Sequence, residues 1–551
     1  MTLDLQHASG APVEGESESF TPLVAVDRGP AEPSDLERAR ALAESHRLPL
    51  VDLAVNGPSP EATKLVPLRI LERVVAMPYA VDGGVVRIAI TDPDNVHGID
   101  ELRLAVRMDV EFAIAPVEDV QLELRRLNRA AEAFGAMVDD ESFFTSEDAD
   151  ADDLEVDDGV SDGPLVRLVN AVIFQAAEDG ASDVHFEPQE DALTVRFRVD
   201  GVLRVIQRVP KHLQSAVITR LKVLAKLDIA ERRKPQDGRI SLSAAAAGRT
   251  LDVRVATLPT VEGESVVMRL LDKSRSAPTL AELGLGEAME RDLLEIVQRP
   301  TGALLVTGPT GSGKSTTLYA ALSEISRPEI NVITVEDPVE YRLQGISQVQ
   351  INMRAGLTFA TALRSILRSD PDVVMVGEVR DPETAKISIE AALTGHFVLS
   401  TLHTNDAPGA ISRLTEMGVE PFLTSSALSA VLAQRLARKL CVHCAEPYTP
   451  TGEELRQARV AEADLWRYRD ASFQRKVGCA RCGKTGYRGR IGVYQLLRVD
   501  DKVASLTASR ASREEIDRAA TAAGMRTLWD DGMEKVARGL TTFEELARVV
   551  V

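Results

Sequence analysis

The sequence predicts a multidomain α/β protein, and two observations support that prediction. First, 551 residues with 44% hydrophobic content are too many for one compact core, because single cores stop growing at about 250–300 residues. Second, short apolar runs such as "ALLVT", "NVITVED", "DVVMVGE" and "FVLSTLHT" alternate with helical segments between residues 276 and 440. This alternation is typical of a mostly parallel sheet covered by helices on both faces.

Composition and periodicity divide the rest of the chain into smaller parts. A helical segment followed by alternating strands, "LVRLVNAVIFQAAEDG" then "LTVRFRVDG", "LDVRVATLP" and "ESVVMRLL", indicates an α+β domain before the main sheet. The predicted parts are a disordered N-terminus (1–32), a small N-terminal α+β domain (33–131), an acidic flexible linker (132–163), a second α+β domain (164–275), the α/β domain (276–440), a tetracysteine segment (441–490) and a C-terminal helical region (491–551).

The net charge of −20 is concentrated in one segment. Residues 139–162 contain twelve acids and no Lys or Arg, so they supply −12 and the remainder carries only −8. This balance does not favour a nucleic-acid partner, which needs a basic face. Because the chain has neither an apolar run of about 18 residues nor a signal-peptide pattern at its start, we expect a cytoplasmic protein.

The segment "GPTGSGKS" fits the phosphate-loop pattern G-x-x-x-x-G-K-[ST]. An apolar strand precedes it and a helix follows, as the pattern requires. The glycines allow the backbone N–H groups to surround phosphate oxygens, and the helix N-terminus adds favourable partial charge. Lys314 would reach the β- and γ-phosphates of ATP, and the Ser315 hydroxyl would bind Mg²⁺. The predicted nucleotide-binding residues are Gly308, Pro309, Thr310, Gly311, Ser312, Gly313, Lys314, Ser315 and Thr316.

Acidic residues follow two of the later strands. "VVMVGEVRD" places Glu378 after one strand, and "VITVEDPVEY" places Glu336, Asp337 and Glu340 after another. Ligands of open α/β sheets collect at the carboxyl ends of the strands, so these acids are candidates for catalysis near the phosphates. The alternative is that such acids cap helices, and Asp381, which precedes a proline, fits that role.

Two histidines flank the strand in "TGHFVLSTLHTND". His396 precedes the strand and is interpreted as structural. His403 follows it, at the edge of the sheet where the phosphate loop is expected, and could sense a γ-phosphate through a hydrogen bond.

All four cysteines of the chain occur as two C-x-x-C pairs, Cys441 with Cys444 and Cys479 with Cys482, separated by 34 residues. Four thiolates in two chelating pairs favour a structural Zn²⁺ site over redox chemistry, which uses a single exposed pair. Basic residues surround the pairs and suggest either a solvated face or a docking surface for an acidic partner or anionic headgroups. They are Arg435, Arg438, Lys439, Arg475, Lys476, Arg481, Lys484, Arg488 and Arg490.

The order of four motifs resembles one known family. "GPTGSGKSTTLYA", "TVEDPVEY", "LRSILRSDPDVVMVGEVRD" and "TGHFVLSTLHTNDA" resemble the phosphate loop, aspartate box, second nucleotide motif and histidine box of the type II secretion and type IV pilus assembly ATPases, the GspE/PulE/PilB family. "ASDVHFEP", "QDGRI" and the cysteine pairs extend the similarity from about residue 164 to the C-terminus.

The resemblance implies a RecA-like ATPase core within a homo-hexamer. It implies that Glu378 activates water, that Glu336 assists at the metal, and that Arg254 and Arg269 of the second domain reach the nucleotide, with Arg239 as a weaker candidate. It further implies ATP, Mg²⁺ and Zn²⁺ as ligands and a polytopic inner-membrane platform protein as partner. The N-terminal domain would dock on a membrane-anchored protein, since the Arg-Leu-Gly segment of cyclic di-GMP binders is not found.

Three alternatives remain open at this point. A nucleic-acid or conjugation-type motor of related fold would show salt-sensitive DNA binding. A non-hydrolysing nucleotide switch would show no steady ATP turnover. A retraction motor of the same family would commonly lack the cysteine segment and the long N-terminal extension. The sequence does not separate pilus assembly from protein secretion.

Overall fold

The computed structural model describes residues 35–53, 58–106, 108–121, 123–125, 127, 164–244, 249–272, 278–458, 460, 468 and 471–550. The predicted disordered N-terminus and acidic linker lie outside these residues. The chain divides into two compact units, one formed by Met1–Val51 and Pro60–Leu122 and the other by Asp52–Ser59 and Glu123–Val551.

The first unit has a three-stranded sheet. Its middle strand pairs antiparallel with the first and parallel with the third. The elements are α1 (Asp35–His46), α2 (Pro60–Thr63), α3 (Leu68–Val74), β1 (Ala76–Asp82), β2 (Val85–Ile90), α4 (Val96–Ala105) and β3 (Asp109–Ile114).

The second unit begins with a six-stranded antiparallel sheet and two helices. The elements are α5 (Pro164–Glu178), β4 (Ala181–Pro188), β5 (Ala192–Val199), β6 (Val202–Pro210), α6 (Gln214–Leu224), β7 (Gln236–Ala244), β8 (Arg249–Thr260) and β9 (Gly263–Asp272). The strand order is β6-β5-β4-β9-β8-β7. Apolar residues of both helices and of the sheet share one core, which is the amphipathic pattern that the sequence predicts here.

A seven-stranded sheet forms the α/β part of the second unit. Its strands are β10 (Gly302–Thr307), β11 (Val332–Glu336), β12 (Ser347–Gln350), β13 (Val373–Val376), β14 (Phe397–Leu402), β15 (Leu428–Leu440) and β18 (Tyr487–Arg498), with a short hairpin of β16 (Glu446–Pro447) and β17 (Gln474–Arg475) outside it. The helices are α7 (Glu287–Val297), α8 (Lys314–Ile325), α9 (Phe359–Ile366), α10 (Pro382–Leu393), α11 (Ala407–Glu416), α12 (Pro421–Ala427), α13 (Gly452–Gln457), α14 (Asp501–Ala508), α15 (Arg513–Ala522), α16 (Leu528–Ala537) and α17 (Phe543–Val549).

The order of this sheet, β12-β11-β13-β14-β10-β15-β18, places β10 between β14 and β15. All neighbours are parallel except the last pair, β15 and β18. Strands β10, β11, β13 and β14 are buried throughout, because helices cover both faces of a parallel sheet. The predicted α/β class with a mostly parallel sheet is therefore confirmed.

The tetracysteine segment is an insertion between two neighbouring strands of this sheet. It leaves at the end of β15 and returns at the start of β18, where Leu440 pairs with Tyr487. Strand β18 continues to Arg498, so the region predicted as helical from residue 491 begins with the last strand of the sheet. Across the part of the chain that the structure describes, no helix combines the length and the apolar character that crossing a bilayer requires.

Candidate nucleotide site and metal centre

The loop between β10 and α8 contains the predicted phosphate-binding residues. Gly313 has a φ of +87° where the loop enters the helix, a backbone conformation that only glycine adopts at little cost. The Lys314 amine donates hydrogen bonds to the carbonyls of Gly308 (2.9 Å) and Pro309 (3.1 Å). The amine thus lies folded over the loop, and Ser315 lies half-buried in the first turn of α8.

Glu378 and His403 meet beside this loop. Glu378 follows β13 and His403 follows β14, so both stand at the carboxyl edge of the sheet. The Nε2 atom of His403 lies 3.6 Å from Oε2 of Glu378, and Arg380 also forms an ion pair with Glu378. Burial lowers the pKa of Lys314, the negative charge of Glu378 opposes that shift, and Arg435 lowers it further. Glu378 therefore interacts electrostatically with Lys314 and lies next to the His403 ring.

A threonine pair fixes the loop that bears His403 to the phosphate-loop strand. Thr307 is the last residue of β10, and its hydroxyl lies 2.6 Å from the hydroxyl of Thr404. The Thr404 backbone N–H also donates to the Thr307 hydroxyl at 2.9 Å. The sequence analysis missed this pair, because threonines that lie 97 positions apart give no periodic signal.

Glu336, at the end of β11, lies in a buried hydrogen-bond network. One carboxylate oxygen accepts from the Tyr319 hydroxyl, and the other accepts from the Thr334 hydroxyl (2.6 Å) and the Gln348 amide (3.0 Å). Burial raises the pKa of Tyr319, and the charge of Glu336 adds to that shift. Both carboxylate oxygens of Glu336 thus have protein donors, and the role at the metal that the resemblance implies for Glu336 stays a prediction.

Three arginines form a row across neighbouring strands of the second domain. Arg239 on β7 is directly opposite Arg254 on β8, which is directly opposite Arg269 on β9. Burial lowers the pKa of Arg254, the neighbouring charge of Arg239 lowers it further, and Glu340 opposes the shift. Arg269 donates through Nε to Asp183 at 2.9 Å. Two members of the row, Arg254 and Arg269, therefore interact electrostatically with Glu340 of the aspartate-box segment.

Asp381 and His396, which were predicted to have structural roles, both form hydrogen bonds with α10. Asp381 is the N-cap of α10 and accepts from the Thr384 backbone N–H at 2.8 Å, which confirms the predicted cap. The Nδ1 atom of His396 lies 3.0 Å from the Ala391 carbonyl, so the His396 ring is bonded to the last turn of α10.

The four cysteines meet in one buried cluster. Their sulfur atoms all lie within 4.8 Å of one another, and three of the separations are 3.8 Å (Cys441 to Cys479), 3.9 Å (Cys444 to Cys482) and 3.7 Å (Cys479 to Cys482). A tetrahedron with zinc–sulfur bonds of about 2.3 Å has edges of about 3.8 Å. The cysteines are free thiols rather than disulfides, and this donor set fits a structural Zn²⁺ ion.

Backbone N–H groups support the same interpretation. The Cys482 sulfur accepts from the N–H groups of Cys479 and Gly486, each at 3.1 Å, and the Cys444 sulfur accepts from Gly478 at 3.3 Å. Such bonds favour the thiolate form that a metal requires and orient the ligands.

The hairpin between β5 and β6 contacts this metal lobe, residues 441–486. Next to the lobe, Asp200 accepts from the backbone N–H of Gly489 in β18 at 2.8 Å. Arg204 donates to the Cys482 carbonyl and to the Thr485 hydroxyl, each at 3.5 Å. The second α+β domain is thus in contact with the turn that contains a predicted metal ligand.

Much of the basic charge around the lobe is compensated by carboxylates of the same chain. At least four of the nine basic residues form ion pairs, which are Arg438 with Glu545, Arg475 with Glu446, Lys476 with Glu544 and Arg490 with Asp200. These pairs favour a structural role for those four residues over a surface for an acidic partner.

A phosphate loop on a mostly parallel sheet, with a carboxylate and a histidine at the next strand ends, is typical of a P-loop nucleoside triphosphatase. Comparison with known proteins identifies the family. Residues 158–548 match the family described as "Type II/IV secretion system protein", and residues 46–134 match the "MshEN domain". The chain therefore belongs to the family of type II secretion and type IV pilus assembly ATPases, as its motifs predict.

Two curated relatives illustrate the similarity. The chain is 49% identical to type II secretion system protein E of Dickeya dadantii over 79% of its own length and 86% of that protein. It is 42% identical to the type IV pilus assembly ATPase PilB of Thermus thermophilus over 95% of its own length. It spans only 58% of the length of that PilB.

A solved structure supports the fold. The X-ray structure of the Legionella pneumophila ATPase DotB aligns with 69% of this chain and 94% of its own, with a TM-score of 0.51 and 19% identity. At this level of identity the likeness concerns the fold alone.

Proposed function

We propose that this chain is a hexameric motor that hydrolyses ATP to power assembly of a type IV pilus or a type II secretion pseudopilus. One observation supports this function above the others. Glu378 and His403 converge next to Lys314 at the phosphate loop, which gives the site a candidate water-activating base as well as a phosphate cradle. A nucleotide switch would need only the cradle.

In the proposed reaction, ATP lies in the phosphate loop with Lys314 at its β- and γ-phosphates. Ser315 would hold Mg²⁺, which neutralises charge on the phosphates when it is bound. Glu378 orients and activates the attacking water, and His403, within reach of Glu378, contacts the γ-phosphate side of the site. Arg254 and Arg269 supply positive charge from the second domain at a domain or subunit interface.

The assembly follows the family pattern. We propose a homo-hexamer located in the cytoplasm, peripheral to the inner face of the cytoplasmic membrane. It would turn a polytopic inner-membrane platform protein, with the N-terminal domain docked on a membrane-anchored partner and with no nucleic acid bound. ATP must then bind the two domain arrangements with different affinity, because only a differential affinity shifts a conformational equilibrium.

ATP turnover tests the chemistry. Lys314→Ala should abolish steady turnover, whereas Lys386→Ala, which removes an exposed lysine of α10, should leave it unchanged. Equal turnover in the Lys314 variant and the parent chain would refute the proposed site.

A pull-down from native membranes tests the assembly. Recovery of a polytopic platform protein supports the motor. Recovery of DNA, or of soluble proteins alone, would contradict it.

A further inference from the structure

Gln434, a buried residue of β15, contacts both ends of the phosphate loop. Strand β15 runs parallel to β10 with Ala433 opposite Thr307, so Gln434 lies just beyond the point where β10 gives way to the loop. Its side chain is 1% exposed. No sequence motif singles it out, because the segment "LAQRLARKL" carries no recognised phosphate-binding pattern.

The amide group of Gln434 makes two short hydrogen bonds. Its nitrogen donates to the carbonyl of Ser312 at 2.6 Å, and its oxygen accepts from the Thr317 hydroxyl at 2.9 Å. Because the Ser312 carbonyl can only accept, the amide nitrogen must face it, which fixes the orientation of the amide. One side chain thus connects the end of the loop to the first turns of α8.

The backbone of Gln434 contacts the beginning of the loop. A Cβ atom on Gly308 would lie 2.5 Å from the backbone carbonyl oxygen of Gln434. A Cβ atom on Gly313 would lie 3.2 Å from the side-chain nitrogen Nε2 of Gln434. The loop is therefore packed against Gln434 at both ends. The hydroxyl of Ser312 is buried and has no hydrogen-bond partner among the described residues, so Ser312 is held through its carbonyl rather than its side chain.

We propose that Gln434 is a positioning residue that holds the phosphate loop in its nucleotide-binding conformation. A glycine-rich loop has more backbone freedom than most segments, and each conformation that misdirects its N–H groups reduces affinity for phosphate. A side chain that restricts the loop before the nucleotide binds lowers the entropic cost of binding. The inference rests on the proposed function, since it requires that a nucleotide occupies this loop.

ADP with Mg²⁺, titrated calorimetrically into the full chain, measures the effect. Gln434→Leu keeps similar bulk but leaves the Ser312 carbonyl and the Thr317 hydroxyl without their partner, and we expect ADP to bind about tenfold more weakly. The control is Gln495→Leu in β18, which removes another buried glutamine whose oxygen accepts from the Ala407 N–H at 3.1 Å. The control should lose thermal stability without losing ADP affinity.

A second variant distinguishes positioning from simple packing. In Gln434→Glu, the neutral carboxylic acid can donate to the Ser312 carbonyl and accept from Thr317 as the amide does, whereas the carboxylate places a negative oxygen against that carbonyl. ADP affinity should therefore be near the parent value at about pH 5.5 and about tenfold lower at about pH 8.5. Burial favours the neutral form of the introduced carboxyl group, whereas the positive charges of Lys314 and Arg435 favour its ionised form. The charge of Lys314 is partly balanced by Glu378.

The parent chain, measured at both pH values, corrects for titration of the phosphates and of groups other than the introduced carboxyl. Parent-like ADP affinity in Gln434→Leu would overturn the proposal, and so would equal affinity of Gln434→Glu at the two pH values. If the leucine variant does not fold, the glutamate variant alone decides. Failure of the parent chain to bind ADP would instead refute the proposed function, so the two failures are distinguishable.

Discussion

Glu545 in α17 permits a quantitative test of how the C-terminal helices are held to the sheet. Its side chain is 0% exposed and accepts hydrogen bonds from the backbone N–H (2.9 Å), Nε (3.0 Å) and Nη2 (2.8 Å) of Arg438 on β15. Arg548 donates to it through Nε at 2.9 Å. Burial alone would raise the pKa of Glu545, but the bonds from Arg548 and Arg438 outweigh burial and lower the pKa to about 2.

The magnitude follows from that shift. A pKa of about 2 against the ordinary value of 4.5 corresponds to about 3 kcal/mol of stabilisation from the ionised carboxylate. Because the folded-state pKa is depressed, this stabilisation is complete above about pH 4.5 and is lost as the pH falls towards about 2. Glu545→Gln removes the charge and leaves the Arg438 and Arg548 guanidinium groups without it, so a similar loss is expected at neutral pH.

Hydrogen exchange of α17, followed by mass spectrometry, measures this loss locally. A loss of about 3 kcal/mol raises the opening equilibrium about a hundredfold, and the exchange rate rises with it. The matched control is Glu544→Gln, because Glu544 is 68% exposed and pairs with Lys476 on the surface, where such a pair contributes about 0–1 kcal/mol. Equal exchange in the two variants would refute the argument that burial and hydrogen bonding make Glu545 the main attachment of α17.

Three further outcomes are expected. Glu378→Gln should lower kcat for ATP about 100-fold to 10,000-fold while calorimetry shows unchanged ADP binding, because it removes the base and keeps the shape; a parent-like kcat would contradict its role. Cys479→Ser should remove zinc, measured by atomic emission. It should also accelerate hydrogen exchange in the β5–β6 hairpin, because Arg204 donates to the carbonyl of the neighbouring cysteine, Cys482. Zinc loss with unchanged exchange in the hairpin would show that the cysteine cluster does not stabilise the hairpin. Arg254→Gln should lower turnover at least about tenfold without lowering the melting temperature, since it relieves repulsion within the arginine row; lower stability would indicate a structural role.

The parts of the site that the sequence predicts are those whose signal is local. The phosphate loop is a continuous pattern between a strand and a helix, so both its residues and its place in the fold follow from it. Glu378 and His403 were expected at one edge because carboxyl ends of parallel strands meet there, and their carboxylate and imidazole are 3.6 Å apart. That reasoning requires only the direction of each strand.

Other features depend on partners that only the tertiary structure reveals. The strand-end argument placed Glu336 near the phosphates, and its role at the metal, which the resemblance implies, stays a prediction. The sequence did not indicate that its carboxylate is bonded to Tyr319, Thr334 and Gln348. Period-two patterning assigns a residue to a face of the sheet but does not identify the side chains that cover that face. Gln434 was overlooked for the same reason, since its two partners lie 122 and 117 positions away.

Strand β15 connects the two sites that the sequence presents as separate. It holds Gln434 against the phosphate loop and ends one residue before Cys441. About 23 Å of extended chain therefore separates Gln434 from Cys441, the first of the four cysteines. Val460 and Phe473 of the lobe share an apolar cluster with Val493 of β18 and with residues of α16 and α17. A metal held by the four cysteines, whose sulfur atoms lie within 4.8 Å of one another, would stabilise the lobe further. Arg438, between these two points, is fixed by Glu545 and stacks on the ring of Tyr487 at 4.2 Å. A metal bound by the cysteine pairs would therefore stabilise the end of the strand whose middle, at Gln434, contacts the phosphate loop. This placement connects the insertion to the nucleotide site although the two are remote in sequence.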